Sequence, residues 1–180
     1  MRRWLWVGFS LMLLVGTGVM AQHDENGSTE HGILLVTFGT SYPKAREAFR
    51  NIERLTRKRF PDVPVRWAYT SGFIRRKLAR EGVEVDSPLT ALAKLHDDGI
   101  THVAVQSLHV IPGAEYHELA AVVRQFESGA VQFKEITLGA PLLSSYEDVA
   151  AVTGMMLEAL PDARKSSDAA VFMGHGTHHA

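Results

Sequence analysis

A run of seven mostly apolar residues at positions 32–38 restricts the fold of this chain more than any other feature. Such a run, without the alternation of a half-exposed strand, is typical of a parallel strand that is covered on both faces. It leads through Gly39 into a turn, and a helical pattern follows from Pro43. Because parallel strands are joined by long crossovers, usually helices, the run predicts an α/β fold.

The rest of the chain repeats this alternation of strands and helices. Further strands are predicted at 63–69, 102–108, 133–138 and 169–173, and helices at 43–59, 73–80, 88–98, 114–126 and 144–160. For the first helix, Pro43 suits the first turn, with Ser41 or Tyr42 near the cap, and Ser144 and Ser145 are cap candidates for the last. We therefore predict a parallel sheet flanked by helices, whose working face is formed by the loops at the carboxyl ends of the strands.

Composition excludes several kinds of partner and chemistry. Apolar residues make up 46% of the 180 and charged residues 22%, as in ordinary globular proteins. The net charge of −1, with both signs dispersed, argues against nucleic acid as the main partner. There are no cysteines and nine histidines, so transition-metal chemistry would rely on imidazole and carboxylate ligands.

The first residues are predicted to be an export signal. Residues 1–3 form a basic n-region with two arginines, residues 4–15 are an apolar run, and small side chains at 19 and 21 predict cleavage after Ala21. Residues 22–31 would be a flexible lead-in. The apolar run is short for a membrane span, so a membrane anchor is the less favoured alternative. We expect a periplasmic protein with no stable membrane span after cleavage.

Two of the predicted loops contain candidate functional residues. His175 lies between two glycines after the predicted last strand, where a metal or ligand could approach closely. Glu115 lies in the first turn of a helix, where the dipole favours a carboxylate with or without catalysis. His109 ends a strand and could line the same cleft. His117 lies about 200° around the helix from Glu115, so these two residues need not serve one site.

A short internal similarity suggests a second unit of the same kind. Residues 36–41 and 172–178 both run from an apolar strand into a Gly-Thr turn. We therefore expect a first α/β domain at 32–142, and at 143–180 a linking helix followed by the start of a second domain.

Three segments resemble the anaerobic, sirohydrochlorin-type cobalt chelatases of the cobalamin pathway. They are LVTFGTSYP at 35–43, SLHVIPGAEY at 107–116 and MGHGT at 173–177. The resemblance implies a chelatase-like fold of two similar α/β domains with a tetrapyrrole cleft between them. It assigns metal binding to His175 and an active-site carboxylate to Glu115. It places a further glutamate and a second histidine in a second domain beyond Ala180, so the chain is expected to be C-terminally incomplete.

The resemblance also predicts a reaction and its partners. The chain would insert Co²⁺, or Fe²⁺, into sirohydrochlorin, whose many carboxylates Arg75, Arg76 and Lys77 could orient. The export signal resembles an exported branch associated with haem b, for which His117 is the candidate axial ligand, and a homo-oligomer is expected. The alternatives are a non-catalytic periplasmic haem- or metal-binding protein and an inactive, truncated chelatase.

Overall fold

A computed structural model describes residues 30–165 and 167–174 of the chain. The predicted export signal, most of the lead-in and His175 lie outside the described residues. In the described part, four strands alternate with five helices. In chain order they are β1 (His31–Thr37), α1 (Arg46–Arg59), β2 (Val65–Tyr69), α2 (Gly72–Arg80), α3 (Pro88–Asp97), β3 (His102–Ser107), α4 (Ala114–Ser128), β4 (Glu135–Gly139) and α5 (Tyr146–Glu158).

The strands form one parallel sheet in the order β2-β1-β3-β4. Strand β1 pairs with β2 on one side and with β3 on the other. This confirms the prediction of a central strand from its continuous apolar run, and the α/β fold class with it. The carboxyl ends of all four strands lie at one edge of the sheet.

One face of the sheet, here called the packed face, is covered by α3 and α4. The alternate strand residues Leu34, Val36, Val103, Val105 and Ile136 pack there against helix residues Leu92, Leu95, Leu119, Val123 and Phe126. The leucine spacing of this helix predicts that Leu89, Leu92 and Leu95 face inward, and Leu92 and Leu95 are indeed fully buried. The prediction for Leu89 is wrong, because this residue follows Pro88 in the first turn of α3 and faces water, while Ala91 is buried.

The opposite face, here called the open face, is covered only in part. Ile33, Leu35 and Val65 pack there with Ile52 of α1, although α1 has no fully buried residue. Over β3 and β4, no described helix covers this face, and Ala104, Gln106 and Thr137 are exposed. A groove of about 600 Å³ results, lined also by Phe60 and by β1.

The start of α1 differs from the prediction. The helix begins at Arg46, residues 43–45 form a turn, and no side chain caps it. Thr40 explains the difference, because its Oγ1 accepts a hydrogen bond from the Tyr42 N–H at 3.2 Å and stabilises a local turn instead of the helix. Ser41, one of the predicted caps, is buried.

The predicted last strand is also wrong, whereas the helix before it is confirmed. Residues 169–173 are exposed and form no strand, since a strand needs a neighbouring strand to satisfy its backbone groups and this segment pairs with none of the described ones. Helix α5 begins with a capping box, in which the Ser145 hydroxyl accepts from the Asp148 N–H and the Asp148 carboxylate accepts from the Ser145 N–H. Across the described ranges, no helix has the length and apolar character needed to span a membrane.

Candidate functional site

The loops that follow β1 and β2 are joined at the carboxyl edge of the sheet. The Thr70 N–H donates to the Thr37 carbonyl at 2.9 Å, and the Ser71 N–H donates to the Phe38 carbonyl at 3.2 Å. These bonds extend the β1–β2 ladder by two residues beyond the strands. The turn after β1 is therefore held beside the start of α2.

Gly39 allows this close approach. Its φ of 97° lies in the left-handed region, and a Cβ at this position would come within 2.3 Å of Cδ2 of Tyr69. Tyr69 is the last residue of β2 and is buried below the turn. Burial raises the pKa of the Tyr69 phenol, and the positive charge of Arg46 opposes that shift. The phenol therefore stays protonated and neutral at physiological pH.

His109 connects the loops that follow β2 and β3. Only 9% of its surface is exposed, its Nδ1 lies 2.9 Å from the Ser107 Oγ, and its Nε2 lies 3.4 Å from the Thr70 Oγ1. The Ser107 Oγ also accepts the His109 backbone N–H at 3.3 Å. Both ring nitrogens thus have a hydroxyl neighbour, which fixes the orientation of the imidazole.

Electrostatics keeps this imidazole neutral. Burial lowers the pKa of His109, because the charged ring would lose hydration, and the negative charge of Glu115 acts in the opposite direction. A neutral imidazole can accept a proton or a hydrogen bond at one nitrogen. The site therefore contains a positioned base that is uncharged near neutral pH.

Glu115 lies in the first turn of α4, half-buried and close enough to influence His109. Gly113 is the N-cap of this helix and provides no side-chain cap, so Glu115 is the acidic group of that turn. The structure therefore brings the predicted residues Glu115 and His109 together at one edge. Their roles in a reaction remain predictions.

His117 does not belong to this group of residues. It is exposed on the second turn of α4, and its ring centroid lies 5.9 Å from that of Tyr116. In the described ranges, no cluster of three or more histidine, aspartate or glutamate side chains could hold a metal ion. The predicted metal ligand His175 lies outside those ranges, so the ligand assignment stays a prediction.

The hydroxyls that contact His109 are not among the predicted site residues. Ser107 and His109 are two residues apart at the end of a strand, and this spacing places both side chains on the same side of an extended backbone. That pattern was readable from the sequence. The contact between His109 and Thr70 could not be predicted in this way, because the two residues are 39 positions apart in the chain. They meet only because β1 pairs with β2 on one side and with β3 on the other.

A parallel α/β sheet with histidine and carboxylate at its carboxyl edge defines a class of proteins that bind ligands at this edge. Comparisons with known proteins are more specific. The family model described as cobalt chelatase (CbiK) matches residues 31–180. The chain belongs to this cobalt chelatase family.

Two relatives have names that agree with this family. The chain is 46% identical over 151 residues to the sirohydrochlorin cobaltochelatase CbiKC of Nitratidesulfovibrio vulgaris, covering 84% of this chain and 53% of the relative. It is 42% identical over 153 residues to the sirohydrochlorin cobaltochelatase of Salmonella typhimurium, covering 82% of this chain and 56% of the relative. The chain therefore spans about half the length of the curated relatives it matches.

Proposed function

We propose that this chain takes part in the insertion of Co²⁺ into sirohydrochlorin, with Glu115 and His175 as the reacting groups. The observation that supports this most directly is the pair of Glu115 and buried His109 at the carboxyl edge, inside a segment that matches the cobalt chelatase family. Both relatives carry the name of that activity.

Metal insertion into a tetrapyrrole is an exchange of one divalent cation for two protons. Two pyrrole N–H bonds break, four nitrogens bind the metal, and both protons must reach bases outside the ring. Glu115 would take one of these protons and solvent water the other. His109, whose ring nitrogens both face hydroxyls, would hold the loop beside Glu115 in place. An imidazole such as that of His175 is a suitable ligand for Co²⁺ before transfer.

Further parts of the proposal rest on the sequence. Residues 1–21 would direct export to the periplasm, Fe²⁺ would be an alternative metal substrate, and His117 would bind haem b in a homo-oligomer. The exposure of His117 supports access to a haem or to a second subunit. The remaining metal ligands would come from the part of a chelatase that this chain does not match.

A cobalt-insertion assay tests the proposal. Purified protein is mixed with sirohydrochlorin and Co²⁺, and metallation is followed by the change in the absorption spectrum. Glu115→Gln should lower the turnover rate by about 10²- to 10⁴-fold, the usual contribution of a general acid or base. His175→Ala should abolish insertion at low Co²⁺ concentration.

Glu118→Gln is the matched control, because Glu118 is an exposed glutamate one turn further along α4. It should metallate sirohydrochlorin at the wild-type rate. Full insertion by Glu115→Gln would refute the role of the carboxylate. A wild-type protein that shows a haem Soret band but inserts neither Co²⁺ nor Fe²⁺ would refute the enzymatic function itself.

A further inference from the structure

Helix α2 carries a concentration of positive charge directly beside the candidate site. Two residues separate it from β2, and the Ser71 hydroxyl at its N-cap accepts a hydrogen bond from the Ile74 N–H at 3.3 Å. Four of its nine residues are cations and none is acidic. They are Arg75, Arg76, Lys77 and Arg80. The bond from Ser71 to Phe38 fixes the start of this helix next to the Gly39 turn.

Two exposed aromatic rings accompany these cations. Tyr42, in the loop after β1, is 72% exposed, and Phe73, in the first turn of α2, is 68% exposed. The Lys77 Nζ lies 5.7 Å from the centroid of the Tyr42 ring, so the loop and the helix form one surface. On α2, a depression of about 200 Å³ is lined by Phe73, Arg76, Lys77 and Arg80. We call these four residues, together with Tyr42 and Arg75, the α2 surface.

The cations of α2 lack anionic partners within the described residues. Ion pairs there join other cations to carboxylates, such as Arg57 to Glu53 and Lys94 to Asp86. The Nε of Arg75 is buried and has no hydrogen-bond acceptor in the described part of the chain. Buried donors are nearly always paired in folded proteins, so an acceptor from outside this part is the simplest complement.

A row of solvated cations on an exposed helix is the ordinary explanation of such a surface. It does not explain why Tyr42 and Phe73, two large aromatic rings, face water beside the cations. It also does not explain the unpaired Nε of Arg75. A ligand that is both flat and anionic accounts for all three features, since rings pack against its faces and guanidinium groups bind its carboxylates.

We propose that the α2 surface binds peripheral carboxylates of the tetrapyrrole, with Tyr42 and Phe73 in contact with the macrocycle. This inference rests on the proposed function and adds the residues that hold the substrate. The distances suit a macrocycle that reaches from α2 to Glu115. Helix α2 follows β2 and Glu115 follows β3, and these strands lie on opposite sides of β1, about 10 Å apart at ~4.8 Å per strand.

The test compares two triple variants with the same change in charge. Arg76→Gln, Lys77→Gln and Arg80→Gln together remove three of the four positive charges of the α2 surface. Arg54→Gln, Lys58→Gln and Arg59→Gln make the same three replacements on exposed positions of α1. The end of α1 lies at the opposite edge of the sheet, where the Arg57 guanidinium donates to the carbonyl of Val65, the first residue of β2.

The first readout is binding of metal-free sirohydrochlorin, measured as the dissociation constant by fluorescence titration. We expect the α2 variant to bind about tenfold more weakly, as three exposed charge pairs would contribute. The affinity of this variant should also depend less on salt concentration. The dissociation constant of the α1 variant should stay within about twofold of the wild-type value. This variant changes the net charge of the protein by the same amount, but it leaves the charge beside the candidate site unchanged.

The second readout, cobalt insertion, separates this inference from the proposed function. An α2 variant that binds sirohydrochlorin as tightly as the wild type would refute the inference, and wild-type insertion would leave the function standing. A wild-type protein that binds sirohydrochlorin through these cations but inserts no metal would refute the function alone. Equal weakening in both variants would also refute the inference, because the effect would then come from net charge.

Discussion

The two faces of the sheet differ in how completely helices cover them, and the strand sequences reflect that difference. Strand β1 is buried on both faces over residues 32–37, whereas β3 alternates between buried Val103 and Val105 and exposed Ala104 and Gln106. Helices α3 and α4 cover the packed face, while α1 covers only the β1–β2 half of the open face. Hydrophobic stabilisation of the described chain therefore comes mainly from the packed face.

The largest expected effect on stability comes from truncating one buried leucine on each of the two faces. Leu119, on α4, is 1% exposed inside the packed face, and Leu35, on β1, is 2% exposed beside the groove. Leu119→Ala leaves an enclosed cavity and should lower the free energy of unfolding by about 3–4 kcal/mol. Leu35→Ala should lower the free energy of unfolding by about 2 kcal/mol. This is close to the hydrophobic transfer free energy of the removed atoms alone, because the groove is already open to water and no enclosed cavity forms.

Chemical denaturation of both variants measures this difference. Equal losses from the two substitutions would contradict the comparison, since they would indicate that the open face is as well enclosed in solution as the packed face. Unfolding monitored by circular dichroism gives both free energies under the same conditions. The slope of the free energy of unfolding against denaturant concentration should stay unchanged, because neither substitution much alters the surface that is exposed on unfolding.

The sequence predicted the strands and helices that form the packed face better than it predicted the local contacts at the carboxyl edge of the sheet. The continuous apolar run of β1 and the spacing of apolar residues elsewhere identified every described strand and helix, because burial of apolar side chains determines those patterns. The start of α1 was missed, since a single hydrogen bond of Thr40 competes with the predicted cap. A strand at 169–173 was predicted from apolar character alone, and that property does not supply the neighbouring strand that pairing requires.

The candidate site was predictable only in part, for a related reason. Glu115 and His109 could be placed at one edge, because topology brings the carboxyl ends of parallel strands together. The burial of His109 and its contact with Thr70 depend on the order of β2, β1 and β3 in the sheet. Strand order is a property of the whole fold, so no local pattern reveals it.

A smaller effect, on the pH dependence of stability, is expected from His109, which lies where the packed face meets the carboxyl edge of the sheet. Its neighbour Ser107 continues the buried series of Val103 and Val105. Burial lowers the pKa of His109 below its value in the unfolded chain, so the unfolded state binds the proton more readily. Stability should therefore fall as the pH drops below about 6.5 and level off below the folded pKa, by at most about 1.4 kcal/mol per pH unit.

His109→Gln should flatten this part of the profile and cost about 1 kcal/mol at pH 7 through the altered hydrogen bonds. Free energies of unfolding measured between pH 5 and 8 test both statements. As a control, exposed His117→Gln should change stability at pH 7 by less than about 0.5 kcal/mol. A variant at position 109 with the same slope as the wild type would show that another group is responsible for the pH dependence.

The smallest effect is expected on the open face, where a charge should be tolerated. Thr137 is exposed on β4 and lines the groove. Thr137→Lys should therefore change the free energy of unfolding by less than about 0.5 kcal/mol, because the ammonium group reaches water. Measurements at two protein concentrations make the test sharper. If Thr137→Lys is destabilising and wild-type stability rises with concentration, a second copy covers the groove in solution, and the two faces are not different in the assembled protein.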